Sequence, residues 1–207
     1  EMTSSLVGSE MCIRDSVISR ASEQVFLPLT VGGRIRSTED FRRMLACGAD
    51  KIAVNSAAIK DPTLITDAAM KFGRQCVVLA VDAKRNEQGR YDVYLNGGRV
   101  NTGKDAIEWI AEGVERGAGE VLLTSMDRDG TKAGYDLELT RQAAEAVNVP
   151  VIASGGAGKM GDFYDVLTEG EADAALAASL FHFGIINMRD LKNYLAERGL
   201  PIRTEGL

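Results

Sequence analysis

Two stretches of the chain place a glycine pair and, further on, a pair of small or polar residues at the same spacing. Gly32-Gly33 precedes Asn55-Ser56, and Gly155-Gly156 precedes Ala178-Ser179, with 23 positions from Gly32 to Asn55 and from Gly155 to Ala178. A glycine pair at a strand end lets backbone N–H groups approach an anion, and a helix beginning just beyond adds its positive end. The repeat therefore predicts two phosphate sites and a substrate with a phosphate at each end.

Asp82 ends the apolar segment 76–82 and is a candidate for acid–base chemistry. A carboxyl at the end of a buried strand lies in a partly dry setting, where burial raises its pKa towards the range of a general acid or base. The alternative is a structural role, as a helix N-cap or in an ion pair with Lys84 or Arg85. The residue type and its position leave both open.

A polar loop follows the apolar segment 120–124 and contains Asp127, Asp129 and Gly130. Its aspartates could position a substrate hydroxyl, and the Gly130 N–H could bind a phosphate. The alternative is a turn, stabilised by an aspartate side chain, that leads into the next helix.

Lys51 and Glu120 each begin a predicted strand, so their side chains belong at the end of the sheet opposite the polar loops. Opposite charges there are compatible with a stabilising ion pair. The alternative is a gated opening through the floor of a barrel.

The elements that must position these residues alternate between strand and helix. Buried strands are predicted at 27–31, 51–55, 76–82, 120–124, 150–154 and 173–179, with a hairpin at 90–103 between the third and fourth. Helices are predicted to begin at Ser37, Asp61, about 104, Asp136, about 159 and about 189. The polar clusters follow nearly every strand, which favours a (β/α)8 TIM barrel over a doubly wound sheet; six of its eight strands are predicted.

Composition excludes several classes of function. A net charge of −6 over 207 residues argues against a nucleic-acid-binding protein, and no apolar run reaches the roughly 18 residues of a membrane helix. The chain has three cysteines without metal-ligand spacing and one histidine, so we expect no metal, no cofactor and no histidine-based triad. The cysteines are interpreted as reduced thiols, which predicts a cytoplasmic protein.

Several motifs resemble the cyclase subunit of imidazole glycerol phosphate synthase, an enzyme of histidine biosynthesis. The resemblance covers about residues 18–207 and includes TVGG (30–33), GADKIAVNSAA (48–58), VDAKR (81–85), RGAGEVLLTSMDRDGTKAGYD (116–136), VIASGGAGKM (151–160) and DAALAASLFH (173–182). It implies a (β/α)8 barrel that takes ammonia from a glutaminase partner. It also implies conversion of a bisphosphorylated ribulosyl aminoimidazole-carboxamide to imidazole glycerol phosphate and the aminoimidazole carboxamide ribotide.

The resemblance also implies roles for individual residues. Asp82 matches a catalytic acid, and Lys51 and Glu120 match two members of a charged gate for ammonia on the barrel floor. Residues that match the substrate and phosphate sites are Gly33, Asn55 and Ser56 in the first copy and Asp129, Gly130, Gly155, Gly156, Ala178 and Ser179 in the second. The family usually has a third glycine where this chain has Arg34, which loses the conformational freedom of glycine.

The first sixteen residues read unlike the rest, with no sustained periodicity. We expect a non-native tail at 1–16 and a partial TIM-barrel domain at 17–207. In the resemblance, 27–31 corresponds to the third barrel strand, so the first two strands and the family's second catalytic aspartate have no counterpart. Cyclisation with one carboxylate of two is expected to be impaired.

Two other interpretations remain open. The related phosphoribosyl isomerase of the same pathway shares the half-barrel repeat and bisphosphate binding, although the segment 117–131, the motif GYD (134–136), Lys51 and Glu120 favour the cyclase. A non-catalytic phosphate-binding fragment is the second alternative.

Overall fold

A computed structural model describes residues 15–203, which belong to two compact units. The first unit comprises the residues up to Leu79 together with Glu115–Gly119, and the second comprises Ala80–Val114 and the residues from Glu120 onward. None of the helices in the described residues has both the length and the apolar composition needed to cross a membrane.

The first unit is a short parallel sheet with its helices. In chain order its elements are helix α1 (15–22), β1 (Thr30–Gly32), α2 (Thr38–Ala46), β2 (Lys51–Val54), α3 (Ser56–Lys60), α4 (Thr63–Phe72), a 3-10 turn (Arg74–Cys76) and the start of β3. Strand β1 pairs with β2 and β2 pairs with Val77–Leu79, both in parallel register. Apolar side chains of α2, β2 and α4 form its core, in which Phe41, Met44, Ile52 and Ile65 have no exposed surface.

Local chemistry explains where α2 begins. The Ser37 hydroxyl accepts a hydrogen bond from the Asp40 N–H, and the Asp40 carboxylate accepts from the N–H groups of Arg36 and Ser37 at 2.9 and 3.1 Å. This capping box satisfies donors that the helix itself leaves unpaired. The predicted start and end of this helix, at Ser37 and Cys47-Gly48, are therefore confirmed.

The second unit contains most of the longer strands. Its elements are β3 (Val77–Arg85, from Ala80), β4 (Tyr91–Leu95), β5 (Val100–Asp105), α5 (Ala106–Glu115), β6 (Glu120–Ser125), α6 (Leu137–Ala146), β7 (Val151–Ser154), α7 (Met160–Thr168), β8 (Ala174–Leu176), α8 (Ser179–His182) and α9 (Met188–Ala196). The parallel strands lie in the order β3-β6-β7-β8, and β4 and β5 form an antiparallel hairpin beside the end of β3.

A single apolar cluster holds the later half of this unit together. Tyr135, Phe163, Val166, Leu180 and Leu191 are buried in it, with rings of Tyr135 and Phe163 edge to face at 5.7 Å. Burial of each large side chain contributes about 1.5–3 kcal/mol. The cluster therefore secures the loop after β6, helix α7 and the segment after β8 relative to one another.

The structure confirms the predicted α/β class: parallel strands alternate with helices as in a (β/α)8 TIM barrel. All six predicted parallel strands and the hairpin are present. Strand β3 continues to Arg85, beyond its predicted end at Asp82, because the hairpin pairs with it there.

Strand β8 is only three residues long, and α8 begins at Ser179, where strand was expected. Helices α1 and α3 were not predicted. The expected boundary at residue 17 falls within α1, and residues 1–14 of the expected tail lie outside the described part of the chain.

Candidate active site

Six of the predicted phosphate-site residues line one cleft of the second unit, with a volume of about 490 Å³. They come from the loop after β6, the loop after β7 and the segment after β8. They are Asp129, Gly130, Gly155, Gly156, Ala178 and Ser179. The ends of three adjacent parallel strands therefore bring together residues up to 50 positions apart in the sequence.

Gly156 is required by the close approach of two of these loops. Its φ is +105°, a conformation that side chains disfavour. A Cβ atom added there would lie 2.9 Å from both the Gly134 carbonyl carbon and the Arg128 Cβ, and closer still to the Gly134 carbonyl oxygen. The Gly134 N–H donates to the Gly156 carbonyl oxygen at 2.8 Å. The loops after β6 and β7 are thus in direct backbone contact.

Gly130 lies in a different environment. Its φ is +75°, and a Cβ added there would meet no atom within 4 Å, so the residue faces open space. Among residues 15–203, no protein acceptor takes a hydrogen bond from the N–H of Gly130 or Gly156. Both N–H groups can therefore donate to a ligand in the cleft.

The N–H groups just before the helix that follows each glycine pair are hydrogen-bonded within the protein. The N–H groups of Gly158 and Lys159, at the start of α7, donate to the Asp162 carboxylate at 2.7 and 2.9 Å. In the first unit, Asp40 accepts from the N–H groups of Arg36 and Ser37, just before α2. The first turn of each helix thus carries an acidic side chain that binds the backbone immediately before the helix.

The two aspartates of the loop after β6 have different surroundings. Asp127 accepts a hydrogen bond from the Arg85 N–H at 2.7 Å and thereby ties this loop to the end of β3. Asp129 lines the cleft. The geometry therefore fits a structural contact for Asp127 and contact with a ligand for Asp129.

Buried tyrosines and an aspartate brace the same loop. The Tyr135 hydroxyl donates to the Leu176 carbonyl oxygen at 3.0 Å, which links the loop to β8. Burial, with a contribution from the charge of Asp162, raises the pKa of Tyr135. Asp136 caps α6 and accepts hydrogen bonds from Ser125 at 3.1 Å and from the Tyr91 hydroxyl at 3.2 Å. These contacts hold the walls of the cleft, and of the residues that make them only Leu176 lines it.

Asp82 lies within β3 and is half-buried. Its register partner is Tyr94 of β4, so the hairpin runs alongside the position from which the carboxyl projects. It does not belong to the lining of the cleft. The candidate acid and the candidate phosphate cleft are therefore separate features of the second unit.

The remaining predicted residues lie at strand termini. In the first unit, Gly33 has a φ of +87°, and Arg34 has a φ of +57°, in the left-handed region that favours glycine. Asn55 and Ser56 follow β2 directly, with Ser56 the first residue of α3.

The two charged residues assigned to the barrel floor begin strands. Lys51 is the first residue of β2 in the first unit, and Glu120 is the first residue of β6 in the second and is 9% exposed. Both charged residues thus stand at the strand starts, as predicted.

Sequence reasoning missed three polar residues of the cleft. Thr124 and Ser154 come from the ends of β6 and β7, and Lys132 comes from the loop that also carries Gly130. Thr124 and Ser154 were predictable, because ligand-binding residues of a parallel barrel lie at the carboxyl ends of its strands. Lys132, two positions after Gly130, had no local signal other than its charge. In residues 15–203 no cluster of three or more histidine, cysteine or acidic side chains could hold a metal ion.

The chain is similar to known proteins over most of its length. Residues 9–187 match the family described as histidine biosynthesis protein. The chain is 55% identical to "Imidazole glycerol phosphate synthase subunit HisF" of Alkaliphilus metalliredigens (strain QYMF), over 90% of this chain and 74% of the relative. It is 52% identical to the protein of the same name from Methanosphaerula palustris, over 91% of this chain and 76% of the relative. A family match over most of the chain and identities above one half lead to one conclusion: the chain belongs to the histidine biosynthesis protein family.

Proposed function

We propose that this chain is the cyclase subunit of an imidazole glycerol phosphate synthase. The reaction combines ammonia with a bisphosphorylated ribulosyl aminoimidazole-carboxamide. It yields imidazole glycerol phosphate and the aminoimidazole carboxamide ribotide, in the synthesis of histidine. Both relatives carry the name of this synthase.

The observation that carries the proposal is the cleft at the ends of β6, β7 and β8. Glycines at 130, 155 and 156, all with positive φ, bring backbone close to a common space, and the N–H groups of Gly130 and Gly156 have no protein acceptor in the described residues. Backbone N–H groups that converge on a cleft are the usual donors for a phosphate. The repeat of this pattern at Gly33, Asn55 and Ser56 supports a second phosphate site in the first unit.

Asp82 is the proposed acid–base residue of the cyclisation. It is a half-buried carboxylate in the carboxyl-terminal part of a parallel strand, paired in register with Tyr94 of the hairpin. General acid–base catalysis by such a group contributes typically 10²–10⁴-fold. Asp129 lines the cleft, and we assign it to accept a hydrogen bond from a substrate hydroxyl next to the phosphate.

A glutaminase subunit is the proposed partner. Both relatives are named as one subunit of a synthase, which implies a second subunit. We assign Lys51 and Glu120 to the passage of ammonia, because each begins a parallel strand of its unit, and Glu120 stands at the end of β6 opposite the cleft. Ammonia supplied as an ammonium salt replaces the partner in a simple assay.

The test is ammonia-dependent turnover of the bisphosphate substrate by the 207-residue chain, with product identified by mass spectrometry. We expect imidazole glycerol phosphate, formed at a rate that Asp82→Asn lowers roughly 10²–10⁴-fold. Asp67→Asn, an exposed carboxyl on α4, is the matched control and should have no effect. Failure to bind the bisphosphate, or turnover that is indifferent to Asp82→Asn, would refute the proposal. Isomerisation of a phosphoribosyl substrate without ammonia would identify the isomerase instead.

A further inference from the structure

The charge of the cleft does not balance through its backbone donors alone. A phosphate monoester carries about −1.5 to −2 at neutral pH, and Asp129 adds a further negative charge to the lining. The Asp162 carboxylate in the first turn of α7 accepts from the N–H groups of Gly158 and Lys159 and reduces the positive potential at that helix end, and α8 has only four residues. A cationic side chain in the lining would balance the charge of a bound phosphate.

Lys132 is the one positively charged side chain among the described residues that line the cleft. It forms no ion pair or hydrogen bond through its side chain within residues 15–203, and that includes Asp129 on the same loop. Its ammonium group is thus available to a ligand. Since the rest of the lining consists of glycines, alanines, a leucine, hydroxyls and the Asp129 carboxylate, Lys132 is the source of positive side-chain charge in the cleft.

The fold holds the backbone of Lys132 from both sides. Its φ is +58°, and its carbonyl carbon and Cβ lie 3.0 Å from the position of a Cβ added at Gly158, so only glycine fits opposite it. On one flank the Thr131 hydroxyl donates to the Arg128 carbonyl oxygen at 2.7 Å and accepts from the Ala133 N–H at 3.2 Å. On the other flank the backbone of Gly134 bonds that of Gly156. These contacts fix the backbone of Lys132 beside the cleft in a conformation that a free chain disfavours.

We propose that Lys132 binds and neutralises the phosphate held by this cleft, and that it thereby selects a phosphate monoester over a neutral sugar end. The inference rests on the proposed function in that the phosphate belongs to one end of the bisphosphate substrate. Asp129 then faces the hydroxyls next to the phosphate, and the glycine N–H groups complete the contacts to its oxygens. Lys132 is a binding residue and takes no part in proton transfer at the reacting atoms.

The test is an amide NMR titration of the chain with inorganic phosphate, which measures binding at each of the two proposed phosphate sites separately. We expect the signals of Gly130, Gly155 and Gly156 to shift, with an affinity that falls roughly 10–100-fold in Lys132→Met. Lys132→Arg should retain most of the affinity. Signals of Gly33 and Ser56 should respond equally in all variants, as an internal control. Lys60→Met, an exposed lysine on α3, is the matched charge control.

Lys132→Gly separates binding from folding. Glycine accepts the positive φ without strain, so this variant should unfold at the same temperature as the wild type or higher and still lose the phosphate response. A cleft that does not respond to phosphate in the wild type, or responds equally in Lys132→Met, would overturn the inference. If phosphate binds through Lys132 but the bisphosphate is not converted, the inference stands and the proposed function fails. With turnover present, Lys132→Met should raise KM roughly 10–100-fold and change kcat little.

Discussion

Gly156→Ala should destabilise the protein far more than Gly130→Ala, although both glycines line the same cleft with positive φ. The conformational cost of a side chain at such a φ is about 1–2 kcal/mol and is shared by the two variants. At Gly130 the new methyl group enters open space. At Gly156 it would lie 2.9 Å from two carbon atoms whose ordinary contact distance is 3.4–4 Å, and closer to a carbonyl oxygen.

The two variants differ in stability because only Gly156→Ala forces the backbone of a neighbouring loop to move. The Gly134 carbonyl is backbone and cannot rotate away, so the loops after β6 and β7 must separate. Overpacking of this kind costs about 1–3 kcal/mol, and loss of the Gly134–Gly156 hydrogen bond costs about 1 kcal/mol more. We therefore expect Gly156→Ala to lose about 2–4 kcal/mol more than Gly130→Ala. For a chain of this size that is a Tm lower by roughly 4–16 °C.

Urea unfolding and thermal unfolding of the two variants and the wild type measure this difference. Gly184→Ala serves as a control outside the cleft, since Gly184 also has a positive φ and open space around it. It should match Gly130→Ala in stability. Equal losses in Gly156→Ala and Gly130→Ala would show that the two loops are not in the contact described, and the reasoning about the cleft would fail with it.

Three further predictions concern the supports of the two units. Arg34→Gly should leave stability unchanged or raise it by up to about 1 kcal/mol, because the left-handed φ suits glycine; a loss above 1 kcal/mol in urea unfolding would contradict this. Burial would raise the pKa of Asp40, but hydrogen bonds from Arg36 and Ser37 and the charge of Arg43 outweigh it and lower that pKa below 3.8. The stability that this lowered pKa contributes is fully present above the pKa of Asp40 in the unfolded chain and is lost as the pH falls through its pKa in the folded protein. The unfolding free energy of the wild type should therefore drop below about pH 4, and by more than that of Asp40→Asn. Parallel pH profiles of the two unfolding free energies would refute the assignment. Tyr135→Phe should lower the free energy of unfolding by about 1–2 kcal/mol, measured by thermal unfolding, because the Leu176 carbonyl loses the Tyr135 hydroxyl. Tyr164→Phe is the control and should lower it little. Equal losses in the two variants would contradict a stabilising role for the Tyr135–Leu176 hydrogen bond.

Features of the fold that depend on neighbours in sequence were predictable. The Ser37–Asp40 capping box, the Asp136 cap of α6 and the hairpin turn at 96–98 rest on side chains or glycines within a few residues of the backbone they serve. Strand positions followed from continuous apolar runs. The end of β3 was missed because the residues after Asp82 are charged, and they remain in a strand only because the hairpin pairs with them.

The role of the helix N-termini shows the same division. The sequence places a helix after each glycine pair and predicts that its positive end helps to hold phosphate. In the structure the carboxylates of Asp40 and Asp162, each the third residue of its helix, accept from the two N–H groups just before the helix. These contacts are local, whereas the contribution of the helix ends to phosphate binding stays a prediction.

The sequence by itself determined the alternation of strands and helices, the α/β class, the two glycine-pair segments and the family to which they point. These are properties of local composition and spacing, and they need no knowledge of which segments meet. Only the tertiary structure decided that Gly130, Gly156 and Ser179 share one cleft, that Asp127 braces β3 while Asp129 lines the cleft, and that Lys132 lies in the same lining. Each of these depends on packing between strand ends that are far apart in the chain. Such packing determines which groups become neighbours, and residue type and local spacing do not specify it.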